Sequence, residues 1–394
     1  MKTAYIHTFG CKVNQFDSQV IREHFETQGY QFEHTPESAD IVILNSCTVT
    51  AEADRQCRSL IRKITTANPS ARIVLAGCYA RRSGPELMIE FPRLELFDAA
   101  AITVKSIASF AEHSRAFLKI QDGCDAFCSY CVVPYVRPGL WSRPIDDIVE
   151  QVKVLVGNGY PEIVLTGVHL GKYHGGLSSV IRAILALKGN FRLRLSSLEA
   201  SEVTDDLLDL MQDHPERICR HLHLPLQSGS SAVLARMKRS YSIEMFYRTV
   251  DKVRDRLPDI GISTDIIVGF PGETDTDFTA TCNCVEKSQF SRLHVFRYSP
   301  RPKTAAADMK PVVHPKTIVE RSRVLRQIGT KQEERFWRTF VGTKRPVVMA
   351  GVKNMALTDN YIRVLFDNKT QSQNNGIFQV LLTEKCSQPW GEII

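Results

Sequence analysis

The stretch RAFLKIQDGCDAFCSYC, residues 115–131, decides how this chain is read. RAFLKI is a short apolar run with the look of a buried strand, and the loop after it holds Cys124, Cys128 and Cys131 at spacings of four and three. Three thiols this close can hold a metal, but a structural zinc or an iron–sulfur cube is saturated by four ligands. Either a distant side chain or something other than protein fills the fourth position. His113, His169 and His174 are the nearby candidates for a Cys3His zinc site. Phe127 and Tyr130, inside the same loop, could instead shield a cluster and offer a stacking surface to a flat ring.

Working outward, the strand is the first of six. EIVLTG, FRLRLSS, RHLHLP, ISTDIIVGF and RLHVFRYSP follow, with helical patterns at 144–157, 177–188, 242–257 and 274–287 between them. Six βα units predict a partial (β/α)6 barrel of the TIM type, in which loops after the strands carry the chemistry. The triplet stands after the first strand, as that rule requires. Ahead of it, AYIHT, DIVILN and RIVLAG alternate with helical stretches at 16–29, 51–69 and 83–91, which predicts a Rossmann-like parallel sheet. Each of these strands is closely followed by a cysteine: Cys11, Cys47 and Cys78. Strand carboxyl ends share one sheet edge, so the three thiols are expected to converge there. Behind the barrel, RPVVMAGV, TDNYIRVLF and GIFQVLLTEK predict a small all-β barrel, with DNKTQSQNNG as a polar loop. The α/β chain thus divides into residues 1–110, 111–335 and 336–394.

Composition narrows the function. The 394 residues contain no apolar run long enough to span a membrane, and MKTAYIHTFGCKVNQFD lacks the apolar core of a signal peptide, so a cytoplasmic protein is expected. Eleven cysteines in a reducing compartment point to metal or redox work rather than disulfides. The remaining five, Cys57, Cys219, Cys282, Cys284 and Cys386, have no ligand-like spacing and read as structural. Net charge is +7, and residues 316–394 hold 13 Lys or Arg against 7 Asp or Glu. A basic terminal barrel is a common grip on RNA; Lys344, Arg345, Lys353 and Arg363 are its candidate phosphate contacts.

The C-x-x-x-C-x-x-C spacing after the first strand of a barrel resembles the radical S-adenosylmethionine superfamily. That resemblance implies that Cys124, Cys128 and Cys131 hold three irons of a 4Fe–4S cluster, and that the amino and carboxylate groups of S-adenosylmethionine chelate the fourth. LTGVHLG, SSLEAS, LHLPLQSGS and DIIVGFPGET, one per strand, match the family's cofactor loops. They nominate Thr166, Gly167, Glu199, Gln227, Gly269 and Pro271, with Phe127 and Tyr130, as cofactor-binding residues. The whole chain is similar to the methylthiotransferase family: HTFGCKVNQFDSQ, LNSCTVTAEAD and AGCYA match its N-terminal domain, and LTDNYIRVLF its RNA-binding TRAM domain. The likeness implies a second, auxiliary 4Fe–4S cluster on Cys11, Cys47 and Cys78, and no catalytic side chain beyond the clusters. It further implies a tRNA anticodon stem-loop as partner, an electron donor such as a flavodoxin or ferredoxin, and no membrane. GCKVN, LTGVHLG and HVFRYSPRPKTAA look most like the MtaB branch, which acts on threonylcarbamoyladenosine beside the anticodon. The MiaB branch acts on isopentenyladenosine and the RimO branch on a ribosomal-protein aspartate. A zinc-bearing RNA-binding protein is the non-enzyme alternative. One departure stands out: after VPYVR the family usually has Gly, and here Pro138 precedes Gly139.

Overall fold

The computed structural model describes the chain except residues 1, 100, 101, 103–105, 111, 112, 352, 353 and 367–375. It divides into two compact units. The first comprises Met1–Ala111, Asp122–Trp141 and Ser299–Ala307; the second comprises Glu112–Gln121, Ser142–Tyr298 and Asp308–Ile394.

In the first unit a five-stranded parallel sheet runs, in spatial order, Tyr30–Phe32, Lys2–Thr8, Ile41–Ser46, Arg72–Ala76, Leu94–Leu96. Parallel sheets are covered on both faces, and the central strand Ile41–Ser46 is accordingly buried at every residue. Its side chains alternate between two cores. Ile41 and Ile43 pack with Ile21 and Phe25 of the helix Lys12–Thr27, while Val42 and Leu44 pack with Ile61 and Ile64 of Ala51–Ala67. The two edge strands, of three residues each, are too short to show a period in the sequence. The helix expected at 83–91 begins earlier: Gly77–Glu90 is helical with a kink at Ser83, so Cys78 lies in a first helical turn rather than in a loop. This strand order is the doubly wound 2-1-3-4-5. Its topological switch falls between Lys2–Thr8 and Ile41–Ser46, where such sheets open a ligand crevice.

The second unit carries the six expected barrel strands: Ala116–Lys119, Glu162–Thr166, Arg192–Leu195, His221–His223, Gly261–Val268 and Arg292–Arg297. They pair in two parallel sets of three. The sets meet through the isolated bridges Leu193↔Ile218 and Ser197↔His223. A closed barrel of five strands follows, formed by Lys344–Met349, Met355–Thr358, Arg363–Leu365, Phe378–Lys385 and Gln388–Ile393. The expected strand TDNYIRVLF is in fact a reversal: Asp359–Tyr361 turns the chain, with Tyr361 at φ 74°, between two antiparallel strands. The 24-residue helix Pro315–Arg338 runs through residue 335 and leads into this barrel. Among the described residues no helix is long and apolar enough to cross a membrane.

The small barrel is fastened by two arginines that an alternating strand would expose. Arg192 and Arg194 are completely buried, and both pair with the buried carboxylate of Glu162. Their remaining donors go to the backbone carbonyls of Pro346, Leu357, Thr358 and Asp359. Burial alone would raise the Glu162 pKa, but the Arg194 and Arg192 charges win and hold it well below its ordinary value.

Candidate metal centres

Cys11, Cys47, Cys78, Cys124, Cys128 and Cys131 all belong to the first compact unit. Cys11 is the N-cap of Lys12–Thr27, Cys47 directly follows the central strand, and Cys78 sits in the first turn of Gly77–Glu90. Cys11 and Cys47 therefore flank the switch point. Their loops touch there: a Cβ built on Gly10 would lie 2.7 Å from the Cys47 Cβ and 3.0 Å from its Sγ. Burial pushes the Cys47 thiol up to about 11, and the Cys78 and Cys11 thiols are near enough to add to that rise. Cys11 and Cys78 stand at helix N-termini, where backbone dipoles favour negative charge; at Cys11 burial still outweighs the helix-end amides and raises the thiol's pKa.

The second trio is held by a tight loop. The Cys131 amide donates to the Cys128 carbonyl at 2.9 Å and the Ala126 amide to the Cys124 Sγ at 3.5 Å. Phe127 occupies the left-handed region at φ 44°, unusual for an aromatic residue, and its exposed ring stands edge-on to Tyr135. Three of the cysteines follow a glycine at positive φ: Gly10, Gly77 and Gly123. The last is the most constrained, since a Cβ there would come 1.5 Å from the Gly139 carbonyl oxygen. Gly139, just after Pro138, also has positive φ, and its carbonyl, with that of Arg137, forms the floor against which Gly123 packs.

The two trios are tied together by a residue that no spacing rule picks out. The short helix Val133–Val136 follows Cys131, and its Val132 and Val136 flanks bury against Cys78. The next residue, Arg137, is 5 % exposed and distributes its guanidinium over four partners. It donates to the Cys78 Sγ at 3.3 Å, the Asn14 Oδ1 at 3.0 Å, Asp17 at 2.7 Å and both oxygens of Asp122 at 3.0 and 2.8 Å. Burial opposes its charge, but Asp17, Cys78 and Asp122 outweigh that and hold its pKa above the ordinary value. The segment Ser299–Ala307 completes the unit. Arg301, buried, donates to Asp54 and to Thr48 beside Cys47, and the Ala306 amide donates to the Ser129 carbonyl between Cys128 and Cys131.

Neither cysteine trio has the spacing of a single-ion site. Tetrahedral zinc with Zn–S of about 2.3 Å would gather its sulfurs to about 3.8 Å. Among the described residues neither cysteine trio is drawn so close; the one set of three potential ligand atoms within 4.8 Å of one another is His223, Asp265 and His294. Of the histidines weighed as a fourth zinc ligand, His169 pairs with Glu202 at 2.7 Å and His113 packs edge-on against Phe117.

In the second unit, the residues nominated for a cofactor stand after successive strands. Thr166 ends its strand, buried, and Gly167 follows; Glu199, Gln227 and Gly269 come after the next three. Gln227, at φ 68°, is stitched to Gly261–Val268 by its amide to Asp265 and by the Ile267 amide to its carbonyl. Glu199 accepts from Arg239, whose neighbour Tyr241 donates to the Pro225 carbonyl at 2.6 Å. Two of the glycines have a structural demand of their own. A Cβ on Gly167 would meet Gln121 at 2.9 Å, and one on Gly269 would meet Ile318 at 2.4 Å. Pro271 is buried in the turn that follows.

Lys344 and Arg363 are exposed on the small barrel. Arg345 is buried and pairs with Asp259 at 2.8 Å, and Lys353 lies outside the described residues. Of the cysteines expected to be structural, Cys57, Cys219 and Cys284 are buried and Cys282 is partly so, whereas Cys386 is exposed in a tight turn at φ 52°.

Residues 3–97 match the uncharacterized protein family UPF0004, and residues 118–285 match the radical SAM superfamily. A threonylcarbamoyladenosine tRNA methylthiotransferase MtaB of Thermotoga maritima is 38 % identical, with 89 % of this chain and 88 % of that protein covered. The Bacillus subtilis protein of the same name is 33 % identical over 100 % of this chain and 96 % of its own length. A tRNA-2-methylthio-N(6)-dimethylallyladenosine synthase of Jannaschia is 33 % identical, covering 88 % and 83 %. Among solved structures, the radical S-adenosylmethionine methyltransferase TsrM of Kitasatospora setae shares the fold at TM-score 0.59 and 15 % identity, over 78 % of this chain and 77 % of that one.

Proposed function

The chain belongs to the radical S-adenosylmethionine methylthiotransferase family, and from that premise we propose that it methylthiolates C2 of N6-threonylcarbamoyladenosine beside the anticodon of tRNA, in the cytoplasm, with two 4Fe–4S clusters. The observation that carries the two-cluster reading is the single compact unit holding all six ligand cysteines, with Cys78 packed against the helix that follows Cys131.

When bound, the clusters and S-adenosylmethionine supply the reductive cleavage, the hydrogen abstraction at C2 and the methylthio group. The protein's own part is to hold and shield. Cys124, Cys128 and Cys131 would take one cluster, and Cys11, Cys47 and Cys78 the other. Arg137 and two helix N-termini offset negative charge on the second. Glu199, Gln227, Thr166 and the turn at Gly269–Pro271 would contact S-adenosylmethionine. An unpaired base in an anticodon loop can be splayed out for modification, and exposed Lys344 and Arg363 would hold the phosphates. A flavodoxin or ferredoxin would deliver electrons. The threonylcarbamoyl substrate is favoured over dimethylallyladenosine because the 38 % identical relative bears that name.

Mass spectrometry of nucleosides from tRNA of cells with and without the gene tests the substrate. Loss of 2-methylthio-N6-threonylcarbamoyladenosine alone supports it. Loss of the methylthiolated dimethylallyl nucleoside, or no change in tRNA with loss of methylthio from a ribosomal protein, overturns it.

A further inference from the structure

A cluster of polar side chains with no individual role assigned above lies on three adjacent strands of the second unit, beside Gln227, whose amide donates to the Asp265 carbonyl. His223 ends His221–His223, Asp265 lies in Gly261–Val268 and His294 in Arg292–Arg297. The strands are parallel neighbours, with Ser263 opposite His223 and Asp265 opposite His294. The His223 Nε2 lies 3.2 Å from the Asp265 Oδ2 and the His294 Nδ1 3.2 Å from its Oδ1. All three donor atoms fall within 4.8 Å of one another. We propose that His223, Asp265 and His294 form a binding site for one divalent transition-metal ion of the class that imidazole and carboxylate share, such as Co2+, Ni2+ or Zn2+.

Four features support this. Two imidazoles and one carboxylate form a recurrent facial set of ligands that leaves coordination positions open. The ligands come from three hydrogen-bonded strands, which hold their positions better than loops do. The ring of His223 is oriented from behind: its Nδ1 lies 2.9 Å from the Ser263 Oγ, which also meets the His221 Nε2 at 2.9 Å. A metal-binding histidine characteristically has its second nitrogen fixed in this way, leaving Nε2 for the ion. Finally, the ion has a way in, because the His294 side chain keeps 42 % of its exposure and Asp265 24 %.

A plain His–Asp–His hydrogen-bond chain is the competing reading. Contacts of 3.2 Å are compatible with both readings; the fixed Nδ1 of His223 and the open side at His294 favour the ion. The proposal rests on these three side chains and not on the methylthiotransferase reading.

The test is equilibrium dialysis of the anaerobically reconstituted full chain against micromolar Co2+, counting cobalt and iron together in the wild type, Asp265→Asn and His294→Gln. The expected result is one cobalt per wild-type chain, at least 100-fold weaker uptake in both variants, and unchanged iron. His294→Gln, at a half-exposed position, keeps the test open should Asp265→Asn fold poorly. Wild-type chain that takes up no stoichiometric cobalt, or variants that bind it as well as wild type, would overturn the proposal. Iron content reports separately on the clusters, so failure here is distinguishable from failure of the functional reading.

Discussion

Arg137 is the residue on which the first unit turns. A buried guanidinium with two carboxylates, an amide oxygen and a thiol around it is fully committed, and removing it takes a counter-charge from both Asp17 and Asp122. Breaking such a pair from one side costs about 3–5 kcal/mol. Arg137→Met should therefore lower stability by that order in denaturant melts, and the protein should retain less iron after reconstitution. Gly123 offers a second test with an internal control. Gly123→Ala places a methyl 1.5 Å from the Gly139 oxygen at φ 81°, whereas Gly159→Ala, at φ 87°, meets nothing within 4 Å. The control should cost only the left-handed backbone term, about 1–2 kcal/mol; Gly123→Ala should cost clearly more and deplete iron. The cysteines were legible in the sequence because strand ends and tight spacings announce them. Arg137 was not, because its partners Asp17 and Asn14 lie 120 and 123 residues away and one arginine after a helix makes no pattern.

Among the elements, Arg192–Leu195 is the most instructive. Its RLRL alternation reads as a strand with one polar face, and the strand is there, but all four residues are buried. The charges are accommodated by Glu162 on the neighbouring strand and by carbonyls of the small barrel more than 150 residues later, which no local pattern reveals. The same locality limit explains the reversal at Asp359–Tyr361, where a run of strand-forming residues hides a hairpin. Glu162 gives a pH prediction. Its folded-state pKa lies below the ordinary 4.5, so its contribution is complete above about pH 4.5 and is lost as pH falls through the folded value. Glu162→Gln should destabilise the protein at pH 7 by about 3–5 kcal/mol. The gap from wild type should then narrow as melts are taken to progressively lower pH below 4.5. A gap that stays constant into acid would show that Glu162 is not the titrating group.

At the scale of the molecule, the fold classes were legible because βα alternation and a terminal run of strands set them. The grouping of the cysteine loop 122–141 and the segment 299–307 with the N-terminal sheet was not, because it depends on contacts between stretches far apart in the chain. The small barrel's proposed role in holding RNA is best tested by surface charge. Deleting the barrel would strip the carbonyl acceptors from two buried arginines and confuse binding with folding. Lys344→Ala and Arg363→Ala are exposed changes and should each reduce the salt dependence of tRNA binding by about one unit of slope or less, while Arg345→Ala should act on stability. Unchanged salt slopes in both exposed variants would remove those residues from the interface.

The most direct measurement is iron and acid-labile sulfide per chain, with EPR of the reduced protein, on anaerobically reconstituted wild type and Cys47→Ala. Two cysteine-ligated cubes predict about eight irons in wild type and about four in the variant, with one EPR-active species lost and the other kept. About four irons in wild type, or zinc in place of iron, would contradict the account.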